Sequence, residues 1–273
     1  MTSKKVRDII EKYYKLSGFP AEYDREFYEA LDKYDISPDI EIETYDKKET
    51  DPMKNLLSYL YLCDKLKKRF EDRNIPEEFF FPVVEEIKKW TFTHISFSGS
   101  LGLSEVDWLA LHLKGTLFKL GRLQFCTRKC NFDVPETGLF KGEDIIDMHI
   151  PKGEPLLFEE CKKSVKRAKE FFAKYFPEYS YTRFICHSWL LDTTLSEILP
   201  ESSNIIKFQS LFDIYDLRKS DDIINYVFGW KKTRADLDRL EAKSSLAVKV
   251  KERLEKGGDF YIALGIIDKE KEL

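Results

Sequence analysis

The chain has 273 residues, enough for one large or two ordinary domains. It is 42% hydrophobic and 14% aromatic, which excludes a disordered chain. Net charge is −4 with 34% charged residues of both signs, which argues against a nucleic-acid partner, since such sites need concentrated positive charge.

The cysteines Cys63, Cys126, Cys130, Cys161 and Cys186 are scattered. Only Cys126 and Cys130 lie close, and no further ligands stand at metal spacing, so free thiols in a reducing cytosol and no metal are expected. The first residues, Met1-Thr-Ser-Lys-Lys-Val-Arg7, lack an apolar targeting segment. No stretch approaches membrane-spanning length, so a cytoplasmic protein without a membrane partner is expected.

In chain order, the first part reads as helices. Val6, Ile9, Ile10, Tyr13 and Leu16 recur at helical spacing, and Gly18 ends them. Pro20 opens a second helix with Tyr23, Phe27, Leu31 and Tyr34 on one face. Residues 35–50 are polar, acidic and aperiodic, a connecting loop. Asp51 caps a third helix with Pro52 at its first position, and the stripe Met53, Leu56, Leu57, Leu60, Cys63 and Phe70 carries it to about Asp72. Pro76 and Pro82 begin a fourth, with Val83, Ile87 and Trp90 inward. Ser104 and Asp107 resemble a capping box ahead of Val106, Leu109, Ala110 and Leu113, and Gly115 ends that helix.

At Thr116 the period changes. Residues 117–125 are rich in strand formers, with alternating polar positions at Arg122 and Gln124. A turn-rich stretch, 131–142, leads to residues 143–150, which alternate polar and apolar side chains as a strand does. Pro151-Lys-Gly-Glu-Pro155 is a turn. Cys161, Val165, Ala168, Phe172 and Tyr175 then mark one face of a helix whose lysines turn to water. Residues 181–189 form a second strand. Strand, helix and strand with short connections make a right-handed crossover with parallel strands. His149 and His187 end these strands, at the sheet edge where ligands bind in open α/β sheets.

Residues 192–199 predict a short helix capped by Asp192, and 203–213 a strand of ambiguous period. Residues 221–228 predict a brief helix, 230–241 from Trp230 a charged surface loop, and 244–256 a helix ended by Gly257 and Gly258. Residues 259–267 predict a final buried strand. The fold class is α+β, with a helical domain over 1–115 packed on a domain over 116–273.

Several stretches resemble a bacterial acyltransferase-like family that pairs a helical N-acyltransferase N-terminal domain with a GNAT-like C-terminal domain. They are Leu120-Gly-Arg-Leu-Gln-Phe125, His149-Ile-Pro151, Cys186-His-Ser-Trp-Leu-Leu-Asp192, Ser203-Asn-Ile-Ile-Lys-Phe208 and Lys256-Gly-Gly258. The resemblance implies a mixed, splayed central sheet. It implies acetyl-CoA or another acyl-CoA as donor and an amine as acceptor, both small molecules. The donor's pantetheine would lie along His149 and Ile150, and its pyrophosphate near Lys152, Gly153, Glu154 and Leu156, at backbone amides and a helix N-terminus. This loop departs from the family pattern: it has one glycine, Pro155 lacks an N–H, and Glu154, Glu159 and Glu160 add negative charge.

His149 or His187 is the expected base, with Asp147 on the face of His149 to orient its ring. In some GNAT enzymes a tyrosine protonates the leaving thiolate, which implies Tyr261 for that role. Arg122, Gln124, Asp147 and Trp189 are candidates for the acceptor cleft. Each of these residues has a structural alternative: a satisfied histidine, a buried aromatic or a surface side chain. Asp192 reads as a helix cap, and Ser188 forms no dyad with His187, because strand neighbours face opposite ways. Two functions remain open. One is an acyl-CoA-dependent N-acyltransferase; the alternative is an inactive GNAT-like module that senses a ligand or holds a protein partner. Nothing in the sequence fixes the oligomeric state.

Overall fold

A computed structural model describes residues 3–45, 49–229 and 231–273. Met1, Thr2, part of the expected loop at 46–48, and Trp230 lie outside the described residues. The chain divides into two compact units, Met1–Lys119 and Leu120–Leu273.

Every regular element described before Thr116 is helical: α1 (Lys4–Ser17), α2 (Asp24–Lys33), α3 (Pro52–Asp72), α4 (Phe81–Ser98) and α5 (Val106–Leu113). Helix α3 is apolar on most sides, and Leu56, Leu57, Leu60, Cys63 and Leu66 are all fully buried. Asp51 starts it, its Oδ1 accepting from the amides of Met53 at 2.9 Å and Lys54 at 3.3 Å. The expected capping box before α5 does not form. Its N-cap is Glu105, and the Ser104 hydroxyl meets Nδ1 of His94 at 2.7 Å instead.

Beyond α5 lie β1 (Leu117–Leu120), β2 (Leu123–Lys129), β3 (Asp144–His149), α6 (Phe158–Tyr175), β4 (Arg183–Ser188), α7 (Asn204–Gln209), β5 (Asp213–Lys219), α8 (Asp222–Phe228), α9 (Ser245–Glu255) and β6 (Tyr261–Asp268). The sheet order is β1-β2-β3-β4-β6-β5. Strands β3 and β4 are parallel and joined by α6, whereas β2–β3, β4–β6 and β5–β6 are antiparallel. The fold is therefore α+β, with helices first and a mixed sheet after.

Two expectations are corrected. The stretch 117–125 is a hairpin rather than one strand, because Gly121 at φ +87 turns the chain between β1 and β2. Residues 204–209 are a helix, not a strand. Their apolar positions fit a helical period equally well, and the Ser203 hydroxyl caps the Ile205 amide at 3.3 Å. The strand comes later, as β5, whose exposed polar residues carry no apolar alternation.

Helix α6 covers one face of the sheet with Cys161, Val165, Ala168 and Phe172, all fully buried. Phe172 meets Tyr181, and Tyr181 meets Phe184, with ring centroids 6.0 and 5.2 Å apart. The other face packs Ile145, Ile185, Leu264 and Ile266 beneath Cys130, Val134 and Leu139 of the β2–β3 connection. All five cysteines are buried and free. Among the described residues, no helix is long and apolar enough to cross a membrane.

Candidate functional site

The seam between β3 and β4 positions the site. Two rungs join the strands, Ile146 with Phe184 and Asp147 with Ile185. Beyond them, among the described residues, the strands share no rung. Each remains paired on its other side, β2–β3 as far as Gln124 opposite His149 and β4–β6 as far as Ser188 opposite Ala263. Backbone pairing across the seam thus stops short of the C-terminal ends of the parallel strands, while each strand stays paired to its outer neighbour. That edge is where a parallel pair accepts ligands.

Alternation decides which side chains meet there. Paired residues share a face, so Gln124, Arg128, Asp147, His149, Ile185, His187 and Leu264 lie together. Oδ2 of Asp147 accepts from Nη1 of Arg128 at 2.7 Å and stands 3.7 Å from Nε2 of His149. Asp147 is 5% exposed, so the pair orders a nearly buried carboxylate. The His149 side chain is 27% exposed, yet its Nε2 is sealed from solvent. Burial pushes its pKa below the ordinary imidazole value; Asp147 opposes the shift and Arg128 adds to it. His187 is exposed, with its ring edge-on to Phe132 at 5.2 Å. Its pKa is also lowered, first by burial, with Arg218 and Arg128 adding to the shift and Asp147 and Asp216 opposing it. The accessible edge and the downward shift are compatible, because Phe132 and the sheet back one side of the ring. Gln124 is 1% exposed, and among the described residues its Nε2 has no hydrogen-bond partner.

Three expected site residues fall elsewhere. Arg122 does not line an acceptor cleft. It is 7% exposed, with Nε donating to the Pro155 carbonyl at 2.9 Å, Nη1 to Pro151 at 2.9 Å and Nη2 to Glu154 at 2.8 Å. Burial pulls its pKa below the usual arginine range, against Cys161 and Glu154. Tyr261 shares its face with Ala263 and Gly265, opposite the histidines, and its amide donates to Oδ2 of Asp192 at 2.9 Å. Trp189 packs on the core of Leu195, Ile223 and Ile224, stacked against Tyr226 at 6.3 Å. Asp192 caps Thr194 through Oδ1 at 2.9 Å.

The loop after β3 leads from half-buried Ile150 through exposed Lys152, Gly153 and Glu154 to half-buried Leu156. Gly153 sits at φ +108, which only glycine adopts freely. Leu157, the N-cap of α6, has no side-chain acceptor for the first-turn amides. Glu160 pairs with Lys163 at 2.8 Å and Glu159 with Lys162 at 4.0 Å, so the carboxylates at this end are partly neutralised.

Arg128, Phe132, Asp216 and Arg218 were not foreseen. Their places depend on the β2–β3 register and on an irregularity in β5 between Tyr215 and Arg218. Arg128 and Asp147 are diagonal neighbours across β2 and β3. That pairing is invisible until the register is known.

A family profile described as a GNAT-like C-terminal domain matches residues 117–267, and one described as an N-acyltransferase N-terminal domain matches residues 3–115. The chain belongs to this acyltransferase-like family. No curated protein matches it. Among solved structures, it is similar to an acyltransferase in complex with decanoyl-CoA and teicoplanin, and to a mutant acyltransferase in complex with octanoyl-CoA. Each is 27% identical with a TM-score of 0.69, over 79% of this chain and 66% of that chain. The chain thus spans just under two thirds of these neighbours. A third structure, an acyltransferase in complex with decanoyl-CoA, shares the fold at 24% identity and a TM-score of 0.69, over 96% of this chain and 77% of that one.

Proposed function

We propose that this family member is an acyl-CoA-dependent acyltransferase that acylates an amine. The observation that carries the reading is the unpaired C-terminal end of the β3–β4 seam, with two histidines and a buried amide on the face beside it. The donor thioester would enter the seam, with its pyrophosphate at the backbone of residues 152–156 and the first turn of α6. Similar acyltransferases were solved with decanoyl-CoA and octanoyl-CoA, which makes medium-chain thioesters the first donors to test.

The chemistry follows from the groups present. The acceptor nitrogen attacks the thioester carbonyl carbon, the C–S bond breaks with coenzyme A leaving as the thiolate, which takes a proton from solvent, and the amine proton goes to a base. His187, reachable and held neutral by its depressed pKa, is the base. His149, its Nε2 sealed beside the Asp147–Arg128 pair, shapes the face next to the seam rather than taking the proton, and the buried Gln124 amide lies opposite it on β2. The oxyanion falls to a backbone amide along the unpaired strand ends. Tyr261, on the other face, is not assigned to the thiolate.

A second reading, a ligand-sensing module, is favoured by the single-glycine loop with Glu154 on it. Calorimetry with acetyl-, octanoyl- and decanoyl-CoA separates the two. The enzyme reading expects saturable binding of at least one thioester and release of free thiol when amines are supplied. Binding without thiol release across a panel of amines would favour the module; no binding at all would remove the donor site.

A further inference from the structure

A loop with a single glycine needs something other than glycine freedom to present amides to an anion. Arg122 lies against this loop, with its guanidinium donating to the carbonyls of Pro151, Glu154 and Pro155. The described peptide bonds are all trans. In a trans peptide the C=O and the N–H of the next residue point in opposite directions. Holding the Pro151 and Pro155 carbonyls against the guanidinium therefore turns the amides of Lys152 and Leu156 away from it. The third carbonyl, that of Glu154, belongs to the peptide whose nitrogen is Pro155, so no N–H is lost by fixing it.

The turn that carries Arg122 is itself fixed. The Arg122 amide donates to Oγ of Ser164 at 2.7 Å, and that Oγ donates to the Glu160 carbonyl at 2.9 Å, in the first turn of α6. Gly121 permits this approach, since a Cβ there would stand 2.8 Å from the same Oγ. The β1–β2 turn, the 151–155 loop and the start of α6 thus close around one buried cation.

We propose that Arg122 is a positioning residue for the acyl donor: by gathering the carbonyls of residues 151, 154 and 155 it aims the Lys152 and Leu156 amides at the pyrophosphate and sets a positive charge behind them. This rests on the donor reading above. Arg122 touches no reacting atom. It replaces loop freedom with preorganisation, so binding an anion does not first have to order the loop. The guanidinium fork suits three carbonyls at once, which a lysine cannot reproduce.

The test compares wild type, Arg122→Lys and Arg122→Met by calorimetry with two ligands, decanoyl-CoA and S-decanoyl-pantetheine, which lacks the pyrophosphate. Both variants should bind decanoyl-CoA about tenfold more weakly or worse, and the pantetheine thioester within about twofold of wild type, since only the loop contacts are lost. Methionine should lose more than lysine, and the loss should appear in the KM for the donor more than in turnover at saturating donor. Equal weakening of both ligands, or no weakening in a folded variant, overturns the proposal. If Arg122→Met does not fold, the same comparison on Arg122→Lys decides. Wild type that binds neither thioester refutes the donor reading itself, a result distinct from a wild type that binds and variants that match it.

Discussion

A base that accepts an amine proton has to be neutral at the working pH and reachable by the amine. His187 meets both conditions, with an exposed ring and a pKa below the ordinary 6.5. His149 meets the first, but its Nε2 is sealed beside the Asp147–Arg128 pair. Different outcomes are expected on substitution. His187→Ala should cost about a hundredfold or more in turnover, the size of losing a general base, with little change in melting temperature. His149→Ala should instead lower stability, by about 1 to 3 kcal/mol if the ring's polar contacts are lost, with a smaller loss of turnover. For wild type, the rate should fall with acidification only below pH 6.5, as the His187 ring gains its proton. Stopped-assay kinetics from pH 5.5 to 8 with melting curves of both variants checks this. A reversed pattern would move the base to His149, and no effect from either would remove histidine from the chemistry. Asp147 and His149 were legible as neighbours, because a period of two puts them on one face. Arg128 was not. Its partner is set by a register that a turn-rich connection hides, and a long-range pairing leaves no mark on local sequence.

The crossover of β3, α6 and β4 could be read directly, since strand alternation, a proline-bounded turn and a helical stripe occur in sequence. The hairpin at Gly121 and the helix at Asn204–Gln209 could not. In both cases a few residues satisfied two periods, and a local device, a positive-φ glycine or a serine cap, made the choice. Strand β6 shows a further constraint of this kind. Gly265 pairs with Cys186 on β4 and Ile214 on β5. A Cβ there would stand 2.6 Å from Phe212 Cδ1 and 2.7 Å from Leu191 Cδ1, closer than packed carbons come. Gly265→Ala should therefore destabilise by about 1 to 3 kcal/mol, the range for overpacking a filled core. Phe212→Leu in the same chain should recover part of the loss. The urea midpoints of the single and double variants give the answer. A neutral Gly265→Ala would mean that Phe212 and Leu191 move aside without cost.

At the scale of the whole molecule, pH acts through two groups of side chains in separate ranges. Both His149 and His187 have native pKa values below the 6.5 of an unfolded imidazole, chiefly because burial disfavours their charged forms. Between the native and unfolded values, the unfolded chain binds more protons, so stability rises with pH. Read downward, stability is lost as pH falls below 6.5 toward the native values, and most of that loss belongs to His149, the less exposed ring. The ion-paired carboxylates act lower. Glu43 is held below its ordinary 4.5 by a hydrogen bond from Arg69, and Glu49 is held below 4.5 by one from Lys54. Their contribution is present above pH 4.5 and is lost as pH falls through their native values. Both groups are exposed enough for solvent to weaken the pairs, so their share is modest. Urea midpoints taken from pH 8 to pH 3 should show a first decline beginning near pH 6.5 and a second below pH 4.5. His149→Gln should flatten the first decline and leave the second unchanged, because glutamine keeps a polar side chain but takes up no proton. Arg69→Gln should do the opposite. If the first decline keeps its slope in His149→Gln, then the ring behind Asp147 is not what links protonation to folding, and its burial there has no energetic consequence near neutral pH.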